Sequence, residues 1–188
     1  MVLIWLKYIG GFFGAVLIVA AASIVITQKV SDGPIEFLQG GSFTTGHIVE
    51  EPVTDWSFGV GKQTEFELVG FGTSRTAGYI MHDGVAYMTC DLGFMWNRMD
   101  GQIRMILNLI YIFKHWHTDA VEDGRARLRI EGKIYKANFV KVEDPKLIEA
   151  LKLEMEDLAR GYIAPAALGP RPNEGPSDVW FFRMDPRS

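Results

Sequence analysis

The chain has 188 residues, of which 48% are hydrophobic and 12% aromatic, and its formal net charge is −4. This composition excludes a disordered chain, which would have few aromatic residues. The acidic balance argues against nucleic acid as a partner, because phosphate backbones are bound through an excess of lysine and arginine. The single cysteine, Cys90, excludes an intrachain disulfide and a thiolate zinc cluster.

An uncharged, apolar run extends from Tyr8 to Ile26 between Lys7 and Lys29. At about 1.5 Å per residue it makes a helix of roughly 28 Å, close to the hydrocarbon thickness of a bilayer. We therefore predict a single transmembrane anchor helix within residues 1–30. The alternative is a cleaved signal peptide, since Ala20–Ser23 offers a small-residue cleavage pattern. The continued apolar run after Ser23 favours the retained anchor.

The orientation of the anchor is predicted from its short N-terminal tail. One lysine flanks each end of the run, so the positive-inside rule hardly discriminates. A short tail usually stays cytoplasmic, which favours a periplasmic or other extracytoplasmic position for the domain that follows. The sequence thus predicts a single-pass membrane protein.

Residues 31–63 are rich in Gly, Ser and Thr and predict an irregular lead-in with one strand, Ser42–Val49. Residues 64–188 predict one compact domain. Its first strand-like runs are Glu65–Val69, Ser74–Met81 and Val85–Leu92. Asp83-Gly84 between the last two runs indicates a tight hairpin, because both turn positions need positive φ.

A helix is predicted from Asp100 to Thr118 by apolar residues at helical spacing. Its segment Ile103–Phe113 is strongly apolar but too short to span a bilayer. Packing in the domain core is one reading of this segment. A position in the membrane interface, flanked by Trp96 and Trp116, is the other.

The second half of the domain predicts a hairpin, a helix and a final strand. Arg125–Ile130 and Lys133–Val142 alternate at period two around Glu131-Gly132. Asp144-Pro145 opens a helix that Gly161 ends, and Val179–Met184 forms the last strand. The predicted fold class is α+β, with about six antiparallel strands and two helices after the anchor.

Three segments resemble the flavin-binding split β-barrels, a superfamily of pyridoxamine-phosphate oxidases and deazaflavin-dependent nitroreductases and quinone reductases. Glu67–Gly78 is similar to a strand-turn-strand with a G-R-x-S/T-G element, although Gly72-Thr73-Ser74-Arg75 departs from that order. Lys114-His115-Trp116 with Arg127–Tyr135 is similar to a K-x-W helix end and its hairpin. Trp180–Pro186 resembles the W-x-x-x-R-L-x-P ending of the oxidases. The resemblance implies a split β-barrel over residues 64–186.

The resemblance also implies FMN or deazaflavin as cofactor. The implied phosphate ligands and ring wall are Ser74, Arg75, Thr76, Lys114, Trp116 and Tyr87, with Tyr79 as a further wall residue. Hydroxyl and guanidinium groups are suited to phosphate because charge-assisted hydrogen bonds are strong. The alternative is a solvated turn with an exposed arginine, in a barrel that has lost its cofactor.

His115 and His117 have a spacing that chelates a metal on a strand, with Asp119 nearby. At a helix end the two rings diverge by about 200°. No metal site is therefore predicted, and catalytic residues are not identified.

Two functions are carried forward. The first is a membrane-tethered flavin- or deazaflavin-dependent oxidoreductase that acts on a small lipophilic acceptor such as a quinone. The second is a cofactor-free accessory or assembly subunit of a larger membrane complex, with an integral-membrane partner or a homodimer. Gly10-x-x-x-Gly14 on the anchor is suited to close helix contact.

Overall fold

The structure is a computed structural model that describes residues 14–16, 18, 19, 22, 23, 25–35, 38–92, 114–162 and 179–188. Its strands are β1 (His47–Val49), β2 (Thr64–Leu68), β3 (Thr73–Thr76), β4 (Tyr79–His82), β5 (Val85–Asp91), β6 (Arg125–Ile130), β7 (Lys133–Lys141) and β8 (Val179–Pro186). The domain helices are α1 (Trp116–Glu122) and α2 (Pro145–Tyr162).

All of these strands join one sheet in the order β3-β2-β6-β7-β8-β5-β4, and β1 pairs with β7. The β1 pairing is parallel and the others are antiparallel. The predicted α+β class is confirmed. Within the described residues the sheet has eight strands, against about six predicted, because one long run is divided into β3 and β4 and the lead-in strand β1 joins the same sheet.

The sheet curls into a half-barrel. Strands β3 and β4 lie at opposite ends of the strand order, yet only Ala77 and Gly78 separate them in the chain. Three residue steps span at most about 11 Å, so the two ends of the sheet must approach each other. The amide of Ala77 donates to the Thr64 carbonyl on β2, and the Gly78 carbonyl accepts from Thr89 on β5.

The inner face of the curl holds the main core. Alternate residues of β2, β5, β6 and β8 point inward, as period-two strands require. Helix α1 closes this space with Trp116 and Ala120. The buried members include Phe66, Leu68, Met88, Cys90, Leu128, Ile130, Phe139, Phe182 and Met184.

The outer face is covered by two different parts of the chain. Helix α2 covers β4, β5 and β8 through a second apolar cluster that includes Ile80, Tyr87, Leu151, Val179 and Phe181. Residues 31–35 and 38–45 of the lead-in cover β2, β3 and β6, since Gly40 pairs with Ser74 and Phe43 bonds to Glu67. Strand β5 contributes to both clusters, because Ala86, Met88 and Cys90 belong to the first and Tyr87 belongs to the second.

Both predicted tight hairpins are confirmed. Asp83 and Gly84 have φ of 48° and 76°, and Glu131 and Gly132 have φ of 50° and 76°. These left-handed angles match the twist of the flanking strands, and glycine reaches them without steric cost.

Three predicted boundaries were wrong. Ser74–Met81 is two strands, because the chain leaves one end of the sheet and joins the other at Ala77 and Gly78. Ser42–Val49 is strand only at His47–Val49, since the preceding residues bond to side chains on the outer face. Residues 100–113 of the helix predicted from Asp100 to Thr118 lie outside the described residues. Lys114 and His115 are not helical, and α1 begins at Trp116 and ends at Glu122.

Helix α2 agrees with its prediction, and its start is confirmed. The Asp144 carboxylate accepts the Lys146 amide at 2.9 Å, as expected of an N-cap. On α2, Leu151 is fully buried against the sheet, whereas Leu158 is 44% exposed. Glu156 is buried instead.

The predicted membrane span Tyr8–Ile26 lies partly outside the described residues, which begin at residue 14. Residues 14–16, 18, 19, 22, 23 and 25–30 are helical. Within the part of the chain that the structure describes, no helix combines the length and the apolar character needed to cross a bilayer.

Candidate functional site

Strand β3 divides the predicted phosphate ligands between two faces of the sheet. Arg75 pairs with Phe66, whose ring lies in the inner core, so Arg75 also points inward. Ser74 pairs with Glu67 and Thr76 pairs with Glu65, on the outer face. Neighbouring residues of a strand alternate in this way, so the three groups do not converge.

Ser74 is fully buried, and its hydroxyl is engaged within the fold. Its Oγ donates to the Gly41 carbonyl at 2.5 Å, and its backbone exchanges two hydrogen bonds of 3.0 Å with Gly40. Ser74 therefore fixes the lead-in on the outer face. Thr76 is exposed.

Arg75 carries a guanidinium that is only partly satisfied. Its Nη2 donates to the Gln39 side-chain oxygen, while its buried Nε finds no hydrogen-bond partner among the described residues. Burial lowers the pKa of Arg75, and the nearby Asp119 and Cys90 oppose that shift. A guanidinium edge of this kind is suited to an oxygen acceptor.

Lys114 lies close to the same inner position. Its Nζ donates to the Asp91 carbonyl at 2.6 Å. Burial raises the pKa of the Cys90 thiol to about 12, and the charges of Lys114 and Arg75 act against that shift. Both cations are therefore near Cys90. A thiol with so high a pKa stays protonated and is a poor nucleophile.

Trp116 belongs to the core. It is 2% exposed, and its ring centroid lies 4.8 Å from that of Phe66 and 5.3 Å from that of Phe182. Tyr79 also lies in this core, with its hydroxyl bonded to the Trp56 carbonyl at 2.6 Å. Tyr87 lies in the second cluster, beneath α2. Of the predicted residues, Arg75 and Trp116 both lie next to Phe66, since Arg75 pairs with it across β2 and β3 and the Trp116 ring packs on it.

His115 and His117 do not form a metal site with their neighbours. His115 is exposed and precedes α1, whereas the His117 ring meets Trp180 edge-on at 4.8 Å. Burial, followed by the charge of Lys114, lowers the pKa of His117. The described part of the chain contains no group of three or more metal-binding side chains.

Sequence reasoning missed a charged cluster on the outer face, beneath the lead-in. Arg127 donates to Glu67 through Nε at 3.0 Å and Nη2 at 2.6 Å, and Glu67 is only 2% exposed. Its carboxylate also accepts the Phe43 amide at 3.0 Å. Glu65-x-Glu67 and Arg127-x-Arg129 were the sequence signal, since opposite charges pair across adjacent strands.

Arg129 connects this cluster to the start of the lead-in. It donates to Glu65 at 2.6 Å and to Asp32 at 3.0 Å, and its guanidinium lies 4.4 Å from the Phe43 ring centroid. Asp32 also accepts the backbone amides of Thr44 and Thr45. Although burial opposes the shift, hydrogen bonds led by the Thr45 hydroxyl hold the pKa of Asp32 well below its usual range. We call Asp32, Glu65, Glu67, Arg127 and Arg129 the outer clasp.

Two hollows of about 260 and 180 Å³ flank the end of β7. Both are bordered by Lys141, and the larger one also by Trp180. The Lys141 Nζ lies 4.0 Å from the Trp180 ring centroid, within the range of a cation–π contact. This pair of side chains forms one wall of the larger hollow.

Comparison of the chain with protein-family models, with curated proteins and with solved structures gave no match.

Proposed function

We propose that the chain is a membrane-tethered split-barrel protein that serves as an accessory or assembly subunit of a larger membrane complex. The tether is supported by apolar side chains on the described N-terminal helical residues. Their exposed fractions are 48% for Val16, 71% for Ile18, 65% for Val19, 53% for Val25, 61% for Ile26 and 75% for Val30. Such exposure is unfavourable in water and favourable in lipid.

The outer clasp supports a fixed placement of the domain beside this tether. Helical residues extend to Val30, and the Ser31 amide donates to the Thr27 carbonyl at 3.0 Å. Asp32, the next residue, is bonded to Arg129 on β6. Ser31 alone therefore separates the described helical residues from the outer clasp. A subunit that presents a surface to a membrane partner benefits from such a fixed orientation.

The observation that carries the accessory role is the use of the predicted cofactor groups within the fold. Ser74 bonds to the lead-in, and Trp116 packs between Phe66 and Phe182. These contacts favour a barrel that binds another protein over one that holds a flavin ring. Gly14 adds support, because none of the described residues lies within 4 Å of the position that a Cβ would take there. This small-residue position is open to close approach by a neighbouring helix.

Native mass measurement after extraction in mild detergent tests the accessory role. We expect a species heavier than one chain, which contains either a second protein or a second copy of the chain. The domain of this species should lie on the extracytoplasmic side. A Gly14→Leu variant should reduce that species, because a large side chain blocks close helix contact. Ser23→Leu, among the same N-terminal helical residues, is the matched control variant. A monomer under the mildest conditions contradicts the role.

A second candidate function is a flavin- or deazaflavin-dependent oxidoreductase that acts on a lipophilic acceptor such as a quinone. The partly satisfied Arg75, with Lys114 close by, favours it. These two cations would hold a cofactor phosphate, and the cofactor would supply the redox chemistry. Thermal shift of the purified protein with FMN or with deazaflavin tests this candidate. Stabilisation that Arg75→Gln removes and Thr76→Ala retains would support it, and no shift with either cofactor would contradict it.

A further inference from the structure

The arginines of one row on the outer face are each paired with a carboxylate, with the exception of Arg187. Arg125 bonds to Asp123, Arg127 to Glu67, Arg129 to Glu65 and Asp32, and Arg183 to Asp185. Each of these guanidiniums holds a carboxylate. Arg187, just after β8, has no carboxylate within ion-pair distance among the described residues.

Arg187 is nevertheless ordered against the sheet. Its Nη2 donates to the Ala126 carbonyl at 3.0 Å, which places the guanidinium beside the two residues that flank Ala126, namely Arg125 and Arg127. Its Nε is buried and has no hydrogen-bond partner in the described chain. An unpaired N–H group costs free energy, and the Arg187 side chain as a whole is only partly buried, so its guanidinium is open to an acceptor from solvent.

The charges around Arg187 indicate the kind of acceptor. Burial lowers the pKa of Arg187, and the positive charges of Arg125 and Arg127 lower it further, whereas Asp123 opposes them. Among the described side chains here, the guanidiniums of Arg125 and Arg127 are paired with the carboxylates of Asp123 and Glu67, and the Arg187 guanidinium has no carboxylate of its own. A monovalent oxyanion balances its charge.

We propose that Arg187, with Arg125 and Arg127 beside it, binds a carboxylate of a partner protein. The occupant is a carboxylate because every other arginine of the row holds one, and because its single charge balances that of Arg187. Guanidinium and carboxylate are also matched in geometry for paired hydrogen bonds. That the carboxylate belongs to a partner protein rests on the proposed accessory role. The affinity of the site for a carboxylate does not depend on that role.

An NMR titration of the full-length chain in detergent micelles tests this site through the arginine Nε–Hε signals. The probe is an N-acetylated tri-glutamate peptide at pH 7, with sodium chloride at matched ionic strength and inorganic phosphate as parallel titrations. We expect a saturable shift of the Arg187 signal with the peptide, larger than with chloride or phosphate. Arg187→Gln should weaken peptide binding at least about tenfold, since a charge-assisted pair is lost.

Arg183→Gln is the matched control, because Arg183 lies on the same face and already holds Asp185. It should leave peptide binding within about twofold. Arg187→Lys should give an intermediate affinity, since it keeps the charge and loses the planar fork. Equal shifts with chloride, tighter binding of phosphate, or equal loss in Arg183→Gln would each overturn the proposal. Saturable peptide binding by a protein that is monomeric in its membrane would support the carboxylate site and refute the accessory role.

Discussion

The two faces of strands β2 and β6 are built from alternate residues of the same short segments, yet they are buried by different means. On the inner face, Phe66 and Leu128 pack in an apolar core that α1 closes. On the outer face, Glu67 and Arg127 form an ion pair beneath the lead-in. Apolar burial is non-directional and tolerates many arrangements, whereas a buried ion pair is favourable only with its specific partners. The inner face therefore provides most of the stability, and the outer face determines where the lead-in binds.

Removal of an inner-face ring should have the largest effect. Trp116→Ala deletes a side chain that is 2% exposed and contacts Phe66 and Phe182. We expect a loss of about 3–5 kcal/mol in the free energy of unfolding, from lost burial and the cavity left behind. Chemical unfolding followed by circular dichroism measures it. His115→Ala, at an exposed neighbour, should change the value by less than about 0.5 kcal/mol; equal losses would place Trp116 outside the core.

Removal of one charge from the outer clasp should have the next largest effect. Glu67→Gln leaves Arg127 without its carboxylate and weakens the bond to the Phe43 amide. We expect a loss of about 2 kcal/mol, less than for a fully buried pair because Arg127 is partly exposed. The same unfolding measurement checks it. Lys62→Gln breaks the exposed pair with Glu131 and should cost less than about 0.5 kcal/mol; a similar cost for both variants would contradict a distinct role for burial.

Loss of Asp32 should open the lead-in locally without unfolding the sheet. In Asp32→Asn the amides of Thr44 and Thr45 lose a charged acceptor. We expect their hydrogen exchange to accelerate about tenfold, which corresponds to about 1.4 kcal/mol, while the exchange of β6 amides stays unchanged. Hydrogen exchange with mass spectrometry measures both regions. Faster exchange throughout β6 would show that the two faces do not act separately.

The same carboxylate should make the lead-in sensitive to acid. The pKa of Asp32 in the folded chain is lowered below its ordinary value of 3.8, so its stabilising contribution is complete above that pH. It is lost as the pH falls below 3.8 toward the folded pKa, because protonation removes the charge that Arg129 and the amides bind. We expect opening of the lead-in below pH 4 by fluorescence of a probe attached there. Asp32→Asn should lack this pH dependence, and an unchanged acid transition in the variant would contradict the assignment.

The smallest effect is expected at the rim of the inner face, where Lys141 covers Trp180 at 4.0 Å. Lys141→Met keeps the length of the side chain and removes the cation. We expect a loss of about 0.5–1 kcal/mol and a shift in tryptophan emission. Lys146→Met on exposed α2 is the matched control. A gain in stability from Lys141→Met would show that apolar contact, not charge, stabilises this rim.

The hairpins and α2 could be predicted from local signals, because Asp83-Gly84, Glu131-Gly132 and Asp144-Pro145 act through their own backbone angles. The break at Ala77 and Gly78 could not, since it depends on which strands the two halves join. For the candidate site, the role of Arg75 and Lys114 as phosphate ligands is implied by the resemblance and stays a prediction. That Ser74 and Arg75 lie on opposite faces follows from strand alternation and could be predicted. Which of the two faces the lead-in covers could not, because it depends on contacts with a distant segment.

The proposed tether connects these results, since the outer clasp has a role in orientation only if the chain is held in a membrane. Alkaline extraction of membranes that contain the full-length chain tests this most directly. The proposed anchor predicts that the chain stays with the membrane pellet at about pH 11, where peripheral ionic contacts are lost because lysine side chains titrate near 10.4. Recovery of the intact chain in the supernatant would contradict the tether, and with it the accessory role at the membrane.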